Sequence, residues 1–327
     1  MKLKRTLALI MTAAMTIGTM AGCSQATLNY SKELSNTAKW GATTSNIEGK
    51  INVDALGTQE EVTFTATGYA TKDQAHIDMK FNNTSGKFKI PEMDIYTDGT
   101  TAYINKSFYE GLETMSGGTE STGLANIKED YIALENSAAT GMDVNKIKAL
   151  TSQPDAMVQL GKLLFGENSD MDLPFVQNGR EYTINLDSNQ TVDLASKAVK
   201  AYINNLDNLS NTFGLKLKIE DIAEIKSSVN DEKFNTAVTE AKTALAGSTV
   251  TSKEVFTDSS YNADININLQ IKDFGKMSIV MKANSTQSEV KAITLPASKV
   301  KLTAEEFVKL VTPESTTIAS TTNVVAK

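Results

Sequence analysis

The sequence predicts an α+β domain in which one strongly curved antiparallel sheet is covered by helices. Three observations carry this prediction. Period-two alternation of apolar and polar residues dominates both ends of the chain, the middle switches to helical periodicity, and the strands come in blocks. A solute-binding fold of alternating βα units around a parallel sheet does not match that order.

An opening helix is expected from about Leu28 to Trp40. After it, Ile47, Ile51, Val53 and Ala55 alternate with Glu48, Lys50, Asn52 and Asp54, and Val62, Phe64 and Ala66 alternate with threonines. Ala75, Ile77, Met79 and Phe81 then share one face, opposite Gln74, His76, Asp78 and Lys80. These are half-buried antiparallel strands. Phe88 and Ile90 fall on even positions but Met93 and Ile95 on odd ones, with Pro91 between, which predicts a bulge or an edge strand. Asp98-Gly99, between Ile95-Tyr96 and Ala102-Tyr103-Ile104, is the strongest hairpin signal.

In the middle, Ala156, Leu160, Leu163 and Leu164 form one side of a short helix opened by Pro154-Asp155. A longer stripe of Val192, Ala195, Val199, Tyr202, Ile203 and Leu206 starts at Asp187-Ser188-Asn189. Phe234, Ala237, Val238, Ala241 and Leu245 form a third stripe, which stops at Gly247. One strand, Tyr182-Ile184-Leu186, interrupts these helices. Beyond them Ala263 to Ile271 alternates without exception, Met277 to Ala283 follows a turn at Gly275, and Val290 to Leu295 reads as a third strand ending at Pro296. Three such strands make a meander with one wet face. A closing helix from Ala304 to Val311 precedes a Thr/Ser-rich tail, residues 313–327, expected to be disordered.

Cys23, the only cysteine, follows a basic start (Lys2, Lys4, Arg5), an uncharged apolar run from Leu7 to Met20, and the small pair Ala21-Gly22. The run is shorter than the roughly 20 residues needed to span a bilayer, and this order of segments fits a signal peptide. It resembles a bacterial lipoprotein signal with its lipobox, with Met20 where that pattern most often has Leu. The resemblance implies cleavage after residue 22 and diacylglycerol on the Cys23 sulfur. It also implies anchoring on the extracytoplasmic face of a cell membrane, through a short tether of residues 23–27. The leader holds three of the 32 basic residues and none of the 39 acidic ones, so its removal moves the net charge from −7 to −10. Such a chain repels phosphate backbones, which argues against nucleic acid as a partner.

Residues 28–312 then form a single domain with a helical insertion at about 141–247. Its order of elements, with strand texture such as Ile95-Tyr96-Thr97-Asp98-Gly99-Thr100-Thr101-Ala102-Tyr103-Ile104, resembles the LolA-like superfamily of envelope proteins, including the mycobacterial lipid-binding lipoproteins. That resemblance implies a half-barrel sheet with helices plugging its concave side. It supplies no catalytic or ligand motif.

Chemistry-bearing residues are sparse. His76 is the only histidine and lies on the polar face of its strand, where it reads as a solvated side chain rather than a catalyst or ligand. No G-x-S-x-G sequence occurs, and Ser116-Gly117-Gly118-Thr119 lacks the lysine of a phosphate loop. Glu167, Asp170 and Asp172, flanked by Gly166 and Pro174, offer oxygens to calcium but lack EF-hand spacing and read as a solvated acidic loop. No metal or cofactor is expected.

Trp40, Met157, Leu160, Leu163, Leu164 and Tyr202 are the candidates for lining an apolar cavity between helices and sheet, although amphipathic stripes are more often plain core. The expected function is a non-enzymatic cell-envelope lipoprotein, joined to the membrane through its N-terminal lipid and holding an apolar ligand such as a lipid. The alternative is an envelope scaffold or protein-interaction module with a filled core.

Overall fold

The structure, a computed structural model, describes residues 24–115, 122–135, 156–167, 171–213 and 217–311. The leader, Cys23, Ser116 to Thr119, Asp170 and the tail all lie outside them. Helix α1 (Gln25–Thr37) begins earlier than the sequence suggested, because the Ser24 side chain accepts from the Thr27 N–H and caps its first turn. The expected tether of residues 23–27 is therefore helix from Gln25 onward.

A long hairpin follows, β1 (Ala42–Ala55) and β2 (Thr58–Thr71). Its two-residue turn places Leu56 and Gly57 at φ 53° and 79°, the paired positive values that match the right-handed twist of the flanking strands. The meander continues through β3 (Ala75–Asn83), β4 (Met93–Thr97), β5 (Thr101–Asn105) and β6 (Tyr131–Glu135), all antiparallel. Residues 84–92 form neither a bulge nor an edge strand; the sheet breaks there and resumes at Met93. At the predicted β4–β5 hairpin, the Asp98 carboxylate accepts from the backbone N–H groups of Thr100 and Thr101, and Gly99 supplies φ 84°.

Helices α2 (Lys106–Met115) and α3 (Thr122–Ala125) lie between β5 and β6. After β6 come α4 (Ala156–Phe165), β7 (Val176–Asn178), β8 (Glu181–Asp187), and helices α5 (Ser188–Asn204), α6 (Leu206–Phe213), α7 (Ile219–Asn230) and α8 (Glu232–Ala244). Asp187 and Gln190 form a reciprocal capping box at the start of α5, where the sequence placed it. Then β9 (Thr249–Phe256), β10 (Ser260–Ile271) and β11 (Gly275–Gln287) make a second antiparallel meander.

The two meanders join through β1 and β11, which pair antiparallel with Ile47 opposite Ala283 and Ile51 opposite Ile279. The strands flanking β10 and β11 are thus β9 and β1, not the expected Val290 to Leu295. Residues 288–298 instead cross the sheet: Ser288 donates to the Ala42 carbonyl, and the Tyr69 hydroxyl donates to the carbonyls of Glu289 and Lys291. They deliver β12 (Lys299–Leu302), which pairs parallel with β6, and α9 (Ala304–Val311) closes the described chain. The result is one open twelve-stranded sheet in the order β12-β6-β5-β4-β3-β2-β1-β11-β10-β9-β8-β7, in a mixed α+β chain.

Packing is concentrated at the two ends of this sheet. At the β7 end, Phe165, Met171, Leu173, Ile184, Leu186 and Val250 form a buried cluster, joined by α5 through Ala198. Val192, Ala241 and Leu245 seat α8 against α5, with Ile271 beside them. At the β12 end, Leu124 and Ile132 are fully buried, the Tyr109 and Phe307 rings meet edge to face at 4.9 Å, and Gly123 has no room for a side chain beneath Leu310.

Candidate functional site

Between these packed ends lies a strip of sheet whose apolar face no described helix covers extensively. Strand register aligns its side chains into rows. Met79, Ala66, Ile47, Ala283 and Ala263 lie opposite one another across β3, β2, β1, β11 and β10. The next row is Phe81, Phe64, Gly49, Met281 and Ile265, and the one after it carries Val62, Ile51, Ile279 and Ile267. The row on the other side is small at its centre, Gly68, Ser45 and Ser285, and runs out to Ile77 on β3 and Tyr261 on β10.

Most of these apolar residues are half-buried, and Ile77 is 37% exposed. The Phe64 ring lies over Gly49, where an added Cβ would sit 2.3 Å from it. Gly49 is therefore what lets an aromatic ring lie flat across the strip. Covering a half-buried apolar surface of this kind gains roughly 25 cal/mol per Å².

The Ala66 to Ala263 row continues into a polar wall. Beyond Ala263 it reaches Glu254 on β9 and Tyr182 on β8. Glu254 is 2% exposed and accepts from the hydroxyls of Tyr30 at 2.7 Å and Tyr261 at 2.8 Å. Burial, followed by the charge of Glu254, pushes both tyrosine hydroxyls far above their ordinary range, so both remain donors. Tyr30 also packs on the rings of Phe175, Tyr182 and Phe256 at 4.4, 5.3 and 5.7 Å.

The opposite face of the strip is polar, with Asn46, Thr67, Asn284 and Asn262 in one row and Glu48, Thr65, Lys282 and Asp264 in the next. A shallow depression of about 490 Å³ is lined by these residues together with Ile47, Ala66, Ala263 and Ala283 of the apolar row between them. His76 lies on this face but is not simply solvated. Its Nε2 is 2.7 Å from Asp94, its ring stacks on Tyr96 at 4.1 Å, and Asp94 also accepts from the Tyr131 hydroxyl.

The cavity candidates are not gathered into one lining. Leu163 and Leu164 pack with Leu206, Leu209 and Ile222 in a filled helical cluster, and Leu160 is half-buried on the same helix. Tyr202 is 41% exposed on α5. Trp40 lies past the end of α1, its indole N–H donating to the Asp258 carbonyl at 3.1 Å. The Met157 side chain and Cys23 are outside the described residues. In the acidic loop, Asp172 is engaged by Ser24 and Thr27, while Glu167 is exposed. Among the described residues no group of three or more His, Cys, Asp or Glu side chains is placed to hold a metal ion, and no helix is long and apolar enough to cross a membrane.

No protein-family model matches this chain, and no curated protein matches it in sequence. The sequence analysis identified the apolar strand faces but did not single them out as a site. The overlooked signal was their length: strands of 12 to 14 residues carry more apolar face than the flanking helices can cover.

Proposed function

We propose that this chain is a non-enzymatic, lipid-anchored protein of the bacterial cell envelope that holds an apolar ligand, such as a lipid tail, against its sheet. The half-exposed apolar strip across β3, β2, β1 and β11 carries this reading, because it lies between two packed helical ends. Its small residues, Gly68, Ser45 and Ser285 in one row and Ala66, Ala283 and Ala263 in the next, leave room for the sheet to bend toward that face. A LolA-like half-barrel around the ligand follows from such bending. The leader ending in Ala21-Gly22-Cys23 supports the anchor.

An envelope interaction module using the polar sheet face is the second reading. Its support is the row of amides and hydroxyls at Asn46, Thr67, Asn262 and Asn284, in which Asn284 donates to Asn262 and each amide group has more donors and acceptors than that one bond uses.

The test is solvent extraction and mass spectrometry of residues 24–327 exported behind a cleavable, non-lipoprotein signal peptide and purified without detergent. Lipid is expected in near-stoichiometric amount, and Ile279→Glu, on a half-exposed position of the strip, should remove it while leaving the melting temperature close to that of the parent. Recovery of no lipid from the parent, with the fold intact, would favour the interaction module.

A further inference from the structure

Gly49 stands in the middle of β1, on the face that carries the apolar strip. A glycine inside a strand costs stability, because it has no side chain to pack and more chain entropy to lose. Two ordinary reasons for one do not apply here. Its φ is not positive, so the backbone conformation does not demand it. The register of β1 runs unbroken past it, opposite Phe64 on β2 and Met281 on β11, so it marks no bulge.

What remains is space. A Cβ at residue 49 would lie 2.3 and 2.5 Å from the Cζ and Cε1 atoms of Phe64 and 2.9 Å from the Val280 carbonyl oxygen. The place of a side chain is taken by the Phe64 ring, which reaches from β2 across β1. Gly68, the strip's other glycine, has nothing closer than 3.8 Å at the corresponding point and seats nothing. The Phe81 ring follows Phe64 in the same row, with centroids 6.4 Å apart and planes tilted by 44°. An aromatic side chain carries about 150 to 250 Å² of surface, so where this ring lies sets the height of the strip's middle row. Laid over the glycine it adds apolar floor. Raised from its seat it would stand in the volume that hydrocarbon occupies.

We infer that Phe64 is the residue on which the bound hydrocarbon lies, and that Gly49 is its positioning residue, holding the ring down so that the strip stays open to the ligand. This rests on the apolar-ligand reading of the strip. The stability given up by a glycine in mid-strand is thereby exchanged for the placement of one ring.

Titration with cis-parinaric acid, a fatty acid that fluoresces when shielded from water, tests this. Residues 24–327, exported behind a cleavable, non-lipoprotein signal peptide and cleared of co-purified lipid on a lipophilic resin, are titrated well below the melting temperature of each variant. Gly49→Ala should fold, since the atoms its methyl group meets first are the far end of a side chain. Its raised ring should weaken binding about tenfold, through lost hydrocarbon contact. Gly49→Ala/Phe64→Ala should bind as Phe64→Ala does, because the methyl group then has no ring to displace. Phe64→Leu, which empties the seat, should bind several-fold more weakly than the parent. A glycine with a structural role alone would change the melting temperature and leave the affinity of the folded protein as it was. Parental affinity in folded Gly49→Ala overturns the inference and leaves the strip reading standing, and so does parental affinity in Phe64→Leu, which decides the matter if Gly49→Ala does not fold. A folded parent that binds no parinaric acid overturns both.

Discussion

The Tyr30 hydroxyl donates to the Glu254 carboxylate at 2.7 Å, joining the first helix to the ninth strand across 224 residues of sequence. Among the described residues Glu254 forms no ion pair; its partners are the hydroxyls of Tyr30, Tyr261 and Ser252. Removing one donor leaves a buried carboxylate short of a hydrogen bond, which costs about 1 to 3 kcal/mol. Tyr30→Phe should lower the urea unfolding free energy by that amount. In a double-mutant cycle with Glu254→Gln the two losses should be strongly non-additive, whereas simple addition would mean the pair is not coupled.

Asp98 gives the β4–β5 hairpin an acid limit. Burial pushes its carboxyl up, but hydrogen bonds from Thr100, Thr101 and Tyr103 outweigh burial and hold it at about 2, below the ordinary 3.8. A folded pKa below the unfolded one contributes stability that is fully present above about pH 4 and is lost as pH falls through about 2. The stability difference between the parent and Asp98→Asn should be constant above that window and shrink within it. Urea titrations at stepped pH read this directly, and a difference that grew toward low pH would contradict the assignment.

Leu164 touches two filled clusters at once, one around Ile184 and Leu186 and one around Leu206 and Leu209. Leu164→Trp should therefore overpack and destabilise by about 1 to 3 kcal/mol, without reducing bound lipid per folded molecule. A stable variant that has lost its lipid would move the ligand from the sheet strip to the helices.

His76 is 35% exposed at its side chain and paired with Asp94, so it contributes through a partly screened pair and a ring stack on Tyr96. His76→Ala should cost about 0.5 to 1 kcal/mol, in thermal or urea unfolding. A loss of several kcal/mol would show that the Asp94–Tyr131 bond depends on the imidazole.

The strands with one wet face were the legible part of this fold. In β1, β2, β3, β10 and β11, solvent on one side forces polar residues onto alternate positions, and the pattern is visible without any partner. β6 lacked that signal because Ile132 and Ala133, on opposite faces, are both fully buried. β9 lacked it because Ser252 and Glu254 occupy its inward face beside Val250 and Phe256. Val290 to Leu295 has the composition of a strand, but its backbone crosses the sheet instead of pairing within it. α7 buries only Ile222 and Val229 and so carries little periodicity. The site was half legible: each row's residues could be assigned to inward faces, but their alignment depends on the β1–β11 pairing between distant segments, which local pattern does not encode.

Photo-crosslinking with a diazirine-bearing phospholipid, followed by peptide mapping, measures most directly whether the sheet strip holds an apolar ligand. Crosslinks are predicted on the strip, at Ile51, Phe64, Ile279 and Met281, and should fall to background in Ile279→Glu. Crosslinks confined to the helical clusters, or to the polar face at Asn46 and Asn284, would contradict the account.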